Sequence, residues 1–381
     1  MGRIMIIAGE TSGDLHGGML VAELRTLRPD LEIYGIGGDR MRAAGMDLLY
    51  HIREFSFMGV AEVLLHLPFI LSALRTLTGL LAARRPDLVV LIDYPGFNLR
   101  FARRAKQAGV PVVYYVPPQV WAWGRGRVRQ LRRLTRKLLV ILPFEEEFYR
   151  RCRVPASYVG SPLVDAAKPA LDRRSFLARH GLEPGRHVVA LLPGSRAQEI
   201  ERILPVMLDA CGLLREQDPS LQFALALAPH VDRARIASLV GRCGLPVALV
   251  EDRPYDVLAH ARLALVASGT ATLEAGIIGT PMIIIYRTSA LTYLLGRLLL
   301  RVPFIGLVNF VAGKQVMPEF VQGDARPGAI ALMARVLIPD GQPRAAVLAE
   351  LARIKGLLGG PGAAGRAARE VLSLLPGERP A

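Results

Sequence analysis

Short apolar runs alternate with longer amphipathic segments along this chain of 381 residues, and the alternation begins a second time near its middle. Such runs are typical of strands in a parallel sheet that helices cover on both faces. The first series comprises residues 4–8, 32–36, 88–92, 112–116 and 138–142. The second comprises residues 188–192, 221–225, 247–250, 263–266 and 282–285. The sequence therefore predicts an α/β protein of two Rossmann-like, parallel-sheet domains that face a cleft.

The break between the two series predicts the domain boundaries. The chain is longer than one hydrophobic core usually serves, so we expect two domains. A polar linker between them begins at Gly160, Ser161 and Pro162. We expect an N-terminal domain over residues 1–165 and a C-terminal domain over residues 175–338. Helical patterns at 339–381 predict C-terminal helices that pack back on the first domain.

The composition narrows the class of protein. Hydrophobic residues make up 51% of the chain and charged residues 21%, as in a globular protein. Cys152, Cys211 and Cys243 lack the spacing of a zinc site or a disulfide framework, so we expect a reducing, cytoplasmic setting. The N-terminus lacks the pattern of a secretory signal, and no uncharged stretch reaches the roughly 20 residues that a membrane-spanning helix needs.

The formal net charge of +15 indicates an anionic partner. The segment 125–137 contains seven basic residues and no acid, and the span 276–312 carries no charge except Arg287, Arg297 and Arg301. Apolar helices bordered by arginines are typical of a protein that lies on an anionic membrane surface. In the alternative interpretation, the apolar helices are domain core and the basic segment is a solvated face.

A glycine-rich turn follows the first predicted strand and opens a helix, whose first N–H groups are suited to bind a polar ligand. The turn lacks the Gly-x-Gly-x-x-Gly pattern of dinucleotide sites, and its acids would repel a pyrophosphate. We therefore assign Ser12, Asp14 and His16 to the acceptor side of a substrate site. The structural alternative is that Asp14 caps a helix.

Asp93 directly follows the strand predicted at residues 88–92 and precedes a Pro-Gly turn. Ligands of open α/β sheets bind at the carboxyl ends of the strands, so Asp93 is a candidate general base. In the other interpretation, Asp93 only caps the next helix.

Two turns in the second half of the chain are suited to an anion. The turn after residues 188–192 contains Ser195 and Arg196, and the arginine can clamp a diphosphate oxygen. Alternatively, Arg196 pairs with Glu199 or Glu201.

The second of these turns follows residues 263–266 and opens another helix. It offers hydroxyl and backbone N–H groups to a diphosphate, from Ser268, Gly269, Thr270 and Thr272. Glu274 lies one helical turn further on, where its carboxylate can accept hydrogen bonds from ribose hydroxyls. A nucleotide sugar is the ligand that fits both turns.

The chain contains no P-loop, no His-Glu-x-x-His motif and no Asp-x-Asp motif. We therefore expect an enzyme that uses neither a metal ion nor a cofactor. Helix dipoles and arginine side chains then neutralise the diphosphate of the donor.

Motifs distributed over nearly the whole chain occur at residues 8–17, 35–38, 57–63, 93–98, 118–123, 142–145, 193–196, 268–274 and 302–309. In this order they resemble the motifs of the lipid-A-disaccharide synthase family. One departure is Ser161, because the family usually has histidine at this position.

The resemblance implies a GT-B fold and an inverting hexosyltransferase. Its substrates are UDP-2,3-diacylglucosamine and 2,3-diacylglucosamine 1-phosphate (lipid X), and its products are lipid A disaccharide 1-phosphate and UDP. Asp93 matches the base that acts on the acceptor 6-hydroxyl, Arg196 and the turn at 268–272 match the diphosphate region, and Glu274 matches the ribose-binding acid. Met58 and Asn309 match family positions that we assign to the acceptor or lipid side. The family implies attachment to the cytoplasmic face of the inner membrane.

Two other classes of function stay open at this stage. A UDP-sugar 2-epimerase shares the double-Rossmann architecture but has little use for apolar spans bordered by arginine. A nucleic-acid-binding protein would be built on the basic segment 125–137, which lacks interleaved aromatic residues. We therefore expect no nucleic-acid partner.

Overall fold

A computed structural model of the chain describes residues 2–55, 66–121, 126–228, 231–251, 253–289, 293 and 303–376. The chain divides into two compact units. The first unit combines Met1–Pro162 with the C-terminal segment Gly360–Ala381, and the second unit is Leu163–Gly359. No described helix has both the length and the hydropathy needed to cross a bilayer.

The described part of the first unit contains a parallel sheet of seven strands. They are β1 (Arg3–Ala8), β2 (Glu32–Gly37), β3 (Asp47–His51), β4 (Leu88–Ile92), β5 (Val112–Tyr115), β6 (Lys137–Val140) and β7 (Ala156–Tyr158). Their order is β3-β2-β1-β4-β5-β6-β7. The direction of winding reverses between β1 and β4, which we call the first switch point. The loops after β1 and β4 emerge side by side there, where open α/β sheets bind ligands.

Helices cover both faces of this sheet. Those of residues 1–162 are α1 (Thr11–Leu27), α2 (Asp39–Ala43), α3 (Leu67–Ala83), α4 (Pro95–Gln107), α5 (Gly126–Leu134) and α6 (Pro143–Arg151). Successive strand residues point to opposite faces, so Ile4 and Ile6 belong to the core beneath α1, and Met5 and Ile7 to the core beneath α3 and α4. Burial on both faces is the reason why β1 is a continuous apolar run.

The described part of the second unit contains a parallel sheet of six strands with the same pattern. They are β8 (Val188–Leu192), β9 (Gln222–Leu227), β10 (Val247–Glu251), β11 (Leu263–Ala267), β12 (Met282–Tyr286) and β13 (Glu319–Val321). Their order is β10-β9-β8-β11-β12-β13, so the winding reverses between β8 and β11, at the second switch point.

The helices of the second unit again lie on both faces of its sheet. They are α7 (Leu163–Ala166), α8 (Arg173–Arg179), α9 (Ala197–Gln217), α10 (Arg233–Arg242), α11 (Pro254–His260), α12 (Thr270–Ile278), α13 (Leu307–Ala312), α14 (Pro327–Leu337) and α15 (Gln342–Leu357). Helices α9 and α14 pack together over one face and share a large apolar core with the strands.

The two C-terminal helices belong to different units. The last one, α16 (Ala363–Leu372), packs on α1 through small buried residues, and its Glu370 carboxylate accepts a hydrogen bond from Lys137 at 2.7 Å. Helix α15 packs on α12 and α13, and the buried Arg344 guanidinium donates to the carbonyl oxygens of Arg262 and Leu337. The predicted packing on the first unit therefore holds for α16 and is corrected for α15, because these contacts tie α15 to the second unit.

The fold class predicted from the sequence is confirmed. Each of the predicted apolar runs overlaps a strand, whereas β3, β7 and β13 were not predicted. All three unpredicted strands lie at a sheet edge, where the side chains are only partly buried, so their sequences lack a continuous apolar run.

Candidate functional site

The first switch point brings the loops after β1 and β4 together, because Ala8 pairs with Ile92 in register. Asp93 follows β4 directly, and its Oδ2 accepts a hydrogen bond from the hydroxyl of Ser12 at 3.4 Å. Both side chains are partly exposed at this edge. The structure therefore places the predicted base and one predicted acceptor-side residue next to each other.

The turn that carries Asp93 has an unusual backbone. Asp93 and Tyr94 have φ angles of +48° and +47°, in the left-handed region that non-glycine residues seldom adopt. The Tyr94 ring lies directly over Gly9, where any Cβ would be 2.2 Å from a ring atom. Gly9 is thus required by close packing of the two loops.

Asp14 lies on α1 but does not face a ligand. Its two carboxylate oxygens accept hydrogen bonds from the backbone N–H groups of Gly38, Arg40 and Met41, at 2.7–3.1 Å. These residues form the N-terminus of α2, so Asp14 caps that helix from α1. The capping role foreseen as the structural alternative is therefore present, and the assignment of Asp14 to the acceptor side stays a prediction.

His16 is buried beneath the same loop, with 4% of its surface exposed. Burial lowers the pKa of its imidazole to about 4, so the ring is neutral at physiological pH. Its centroid lies 6.4 Å from the ring of Tyr115. A charged His16 is thus excluded near neutral pH, and contact of His16 with a substrate stays a prediction.

The second switch point brings together the two anion-suited turns, because Leu192 of β8 pairs with Val266 of β11. Ser195 and Arg196 are exposed, and the Arg196 guanidinium donates to Oε1 of Glu199 at 2.8 Å. The ion pair foreseen as the structural alternative is therefore present. Its arginine is 60% exposed, so exchanging the carboxylate for an anionic ligand costs little.

The turn after β11 uses part of its own hydrogen-bonding capacity. The hydroxyl of Ser268 donates to the carbonyl of Ile305 at 2.8 Å, and the hydroxyl of buried Thr272 donates to the carbonyl of Gly269 at 2.8 Å. These two hydroxyls stabilise the turn, and their assignment as donors to a ligand stays a prediction. Thr270 is exposed at the start of α12, and the first N–H groups of a helix lack partners within the helix.

Glu274 lies on α12 and accepts a hydrogen bond from the Tyr255 hydroxyl at 2.9 Å. Burial raises the pKa of its carboxyl group, and the bond from Tyr255 partly opposes this. A ligand hydroxyl that donates to Glu274 would stabilise its charged form.

Asn309 is wholly buried and makes four hydrogen bonds. Its Nδ2 donates to the carbonyl of Met317 and to Oε1 of Glu319, and its Oδ1 accepts from the N–H groups of Val316 and Met317, all at 2.8–2.9 Å. No capacity is left for a substrate. Asn309 therefore has a structural role, and its assignment to the acceptor or lipid side stays a prediction.

Glu319 is the residue that sequence reasoning missed. Its Oε2 accepts from the N–H of Ile305 and its Oε1 from the N–H of Gly306, both at 2.9 Å. The carbonyl of Ile305 in turn holds Ser268, so Glu319 supports the turn after β11 through one intervening residue. Glu319 begins an edge strand, and nothing near it in the sequence indicates these partners.

Other predicted residues have less definite surroundings. The Nε of Arg287 donates to the carbonyl of Gln322 at 3.4 Å. Met58, Arg297 and Arg301 lie outside the described residues. Ser161 is fully buried, and within the described parts of the chain its hydroxyl has no hydrogen-bond partner.

Two doubly wound units, each with polar loops at its switch point, define the GT-B class of nucleotide-sugar enzymes. Solved structures agree with this fold. UDP-GlcNAc 2-epimerase from Neisseria meningitidis bound to UDP-GlcNAc aligns over 97% of this chain and 98% of its own, with a TM-score of 0.67 and 13% identity. CalG4, the calicheamicin glycosyltransferase, aligns over 98% of both chains, with a TM-score of 0.62 and 20% identity.

Sequence comparison identifies the family. The family model described as lipid-A-disaccharide synthetase matches residues 4–355, and the chain belongs to this family. The lipid-A-disaccharide synthase of Myxococcus xanthus (strain DK1622) is 48% identical over 374 residues, 98% of both chains. That of Geobacter sulfurreducens is 46% identical over 373 residues, 98% of this chain and 97% of the relative. The chain is thus a glycosyltransferase of lipid A biosynthesis, as the motifs implied.

Proposed function

We propose that this glycosyltransferase joins UDP-2,3-diacylglucosamine to 2,3-diacylglucosamine 1-phosphate (lipid X), with inversion at the anomeric carbon. The products are lipid A disaccharide 1-phosphate and UDP. The observation that carries this proposal is the contrast between the switch points: the first presents the Asp93 carboxylate, and the second presents Arg196 and the start of α12.

The acceptor side of the proposed reaction rests on Asp93. Its carboxylate takes the proton of the acceptor 6-hydroxyl while that oxygen bonds to the anomeric carbon of the donor. The bond from the anomeric carbon to the diphosphate breaks, and its electron pair leaves with UDP. Ser12, which donates to Asp93 at 3.4 Å, is suited to hold the carboxylate or to contact the same hydroxyl.

The donor side rests on the second switch point. Arg196 exchanges Glu199 for the diphosphate, and the N–H groups at the start of α12 stabilise its charge together with the helix dipole. Gly269, with φ of +150°, lets the backbone approach the phosphates. Glu274, already polarised by Tyr255, accepts hydrogen bonds from the ribose. No metal ion is required in this scheme, because N–H groups and a guanidinium carry the neutralising charge.

Membrane attachment is supported by a basic surface on α4 and α5, which pack against each other. Six exposed arginines on these helices form no ion pair within the described residues: Arg100, Arg103, Arg104, Arg129, Arg132 and Arg133. Both substrates carry acyl chains, so the enzyme has to work at a lipid surface. We propose that this basic surface binds anionic head groups on the cytoplasmic face of the inner membrane.

The test is a UDP-release assay with purified protein, both synthetic lipid substrates and excess chelator. We expect UDP and a disaccharide in equal amounts, and no UDP without lipid X. Release of an epimerised UDP-sugar in the absence of acceptor would instead favour a 2-epimerase, and no turnover above the blank would refute both. Sedimentation with phosphatidylglycerol vesicles tests the membrane proposal, and binding equal to that with phosphatidylcholine would contradict it.

A further inference from the structure

The backbone of the Asp93 turn is costly, because two consecutive L-residues are held in the left-handed region. Such conformations are energetically unfavourable for L-residues and persist only where the surrounding structure imposes them. Glycine at either position would remove most of this cost. Contacts with the surrounding structure must therefore impose this turn.

The carbonyl oxygen of Asp93 is held by two side-chain donors. Nδ2 of Asn98 donates to it at 2.7 Å and also to the carbonyl of Ile92 at 3.2 Å. The hydroxyl of Tyr114 donates to the same oxygen of Asp93 at 2.6 Å. Asn98 lies on α4 and Tyr114 on β5, so the two donors reach the turn from different elements.

Both donors are fixed and retain their protons. Asn98 and Tyr114 are each 0% exposed. Burial raises the pKa of the Tyr114 hydroxyl well above its usual value, and the negative charge of Asp93 raises it further. The hydroxyl therefore stays protonated and donates to the carbonyl. Tyr114 is also held by the sheet itself, because it pairs with Leu91 in register, two residues before Asp93.

We propose that Asn98 and Tyr114 are positioning residues that fix the Asp93 carbonyl, and thereby the left-handed turn that directs the Asp93 carboxylate toward the acceptor. This proposal rests on the proposed role of Asp93 as the base. A carboxylate on a freely relaxing turn would adopt several orientations, and a misplacement of about 1 Å can cost as much as 100-fold in rate. Neither residue touches a substrate in this scheme.

The first variant is Tyr114→Phe, which removes one donor and keeps the ring. We expect kcat to fall about tenfold, the effect of one lost hydrogen bond of about 1.4 kcal/mol, with the KM for the UDP-sugar unchanged. The matched control is Tyr34→Phe. Tyr34 is equally buried in the same sheet, but within the described residues its hydroxyl has no hydrogen-bond partner, so its removal should leave kcat unchanged.

Asn98→Ala removes the second donor and should lower kcat further than Tyr114→Phe. Thermal unfolding of each variant shows whether the first unit is still folded; if Asn98→Ala does not fold, Tyr114→Phe alone decides. A kcat for Tyr114→Phe within twofold of the wild type would overturn the proposal, as would equal losses in Tyr34→Phe.

Asp93→Asn separates failure of this inference from failure of the proposed base. If Asp93→Asn stays active, the role of Asp93 is wrong and the inference fails with it. If Asp93→Asn loses activity while Tyr114→Phe does not, only the inference fails. If Tyr114 acts through Asp93, adding Tyr114→Phe to Asp93→Asn should not lower kcat any further. If Tyr114 has only a structural role, Tyr114→Phe should lower kcat by the same factor in the wild type and in Asp93→Asn.

Discussion

The two switch points occupy the same place in sheets of the same strand order, yet the loops they carry have opposite chemistry. At the first, Asp93 directly follows β4, and Ser12 donates to its carboxylate. At the second, β8 and β11 lead into Arg196 and the N-terminus of α12. In the proposed function, the same backbone arrangement presents a base on one unit and an anion site on the other, because the side chains determine what the loops bind.

The two switch points are also stabilised differently. The turn after β4 places two L-residues at positive φ and holds them through Asn98 and Tyr114. The turns after β8 and β11 have glycine at the corresponding strained positions, Gly194 and Gly269. A base has to be directed at one atom of its substrate, and a strained turn can fix that orientation. An anion site instead needs backbone N–H groups close to the ligand, which glycine permits.

The largest expected effect is that of Asp93→Asn. If the first switch point supplies the base, kcat should fall by about 100-fold to 10,000-fold, because the amide cannot accept the proton. UDP release under saturating substrates measures the change. The control is Asp47→Asn, which changes an exposed carboxylate at the start of β3 and should leave kcat unchanged. A loss of less than tenfold in Asp93→Asn would break the comparison.

A carboxyl group that accepts a hydrogen bond from an aromatic side chain occurs in each unit: buried Glu145 from Trp121, and half-buried Glu274 from Tyr255. Burial raises the pKa of Glu145 to about 7, above the value near 4.5 that it has when unfolded. The unfolded chain therefore loses this proton first, so the contribution of Glu145 to stability is greatest below pH 4.5 and decreases by up to about 3 kcal/mol as pH rises toward 7.

Urea unfolding of the wild type and of Glu145→Gln between pH 5 and pH 8 measures the contribution of Glu145 to the free energy of unfolding. We expect Glu145→Gln to have a flatter stability profile over that range, because its amide does not titrate. Parallel profiles for the two proteins would contradict the assignment of the pH dependence to Glu145.

Glu319→Gln tests how the second switch point is supported. Its amide turns an NH₂ group toward a backbone N–H of Ile305 or Gly306, so we expect a loss of about 1–3 kcal/mol in the free energy of unfolding and a higher KM for the UDP-sugar. Glu183→Gln is the matched control, because the Glu183 side chain makes an exposed ion pair with Arg186 and no other contact of this kind among the described residues. Equal stability of the two variants would count against the support of Ser268 by Glu319.

The smallest expected effect is that of Arg196→Ala. We expect the KM for the UDP-sugar to rise about tenfold with little change in unfolding, since an exposed ion pair contributes less than about 1 kcal/mol to stability. Arg186→Ala is matched to it, because Arg186 and Arg196 each pair with a glutamate three residues away. A KM that stays the same in Arg196→Ala would remove the arginine from the proposed donor site.

Several predicted site residues share one structural feature that their sequence pattern does not reveal. Asp14, Asn309 and the hydroxyls of Ser268 and Thr272 were assigned to ligands because polar residues in glycine-rich turns are typical of binding sites. Each of them bonds to backbone groups instead, and in the case of Asp14 those groups are 24 to 27 residues away. Pattern alone does not distinguish a polar side chain that binds a ligand from one that satisfies buried backbone groups.

By itself, the sequence determined the fold class, the central strands and the places where polar loops follow them, because burial on both faces requires continuous apolar runs and a strand end requires a local turn. Only the tertiary structure determined the edge strands β3, β7 and β13, the partners of Glu319 and the two donors that hold Asp93. Edge strands are half exposed and leave a weak pattern, and hydrogen bonds between distant residues depend on packing that no local segment specifies.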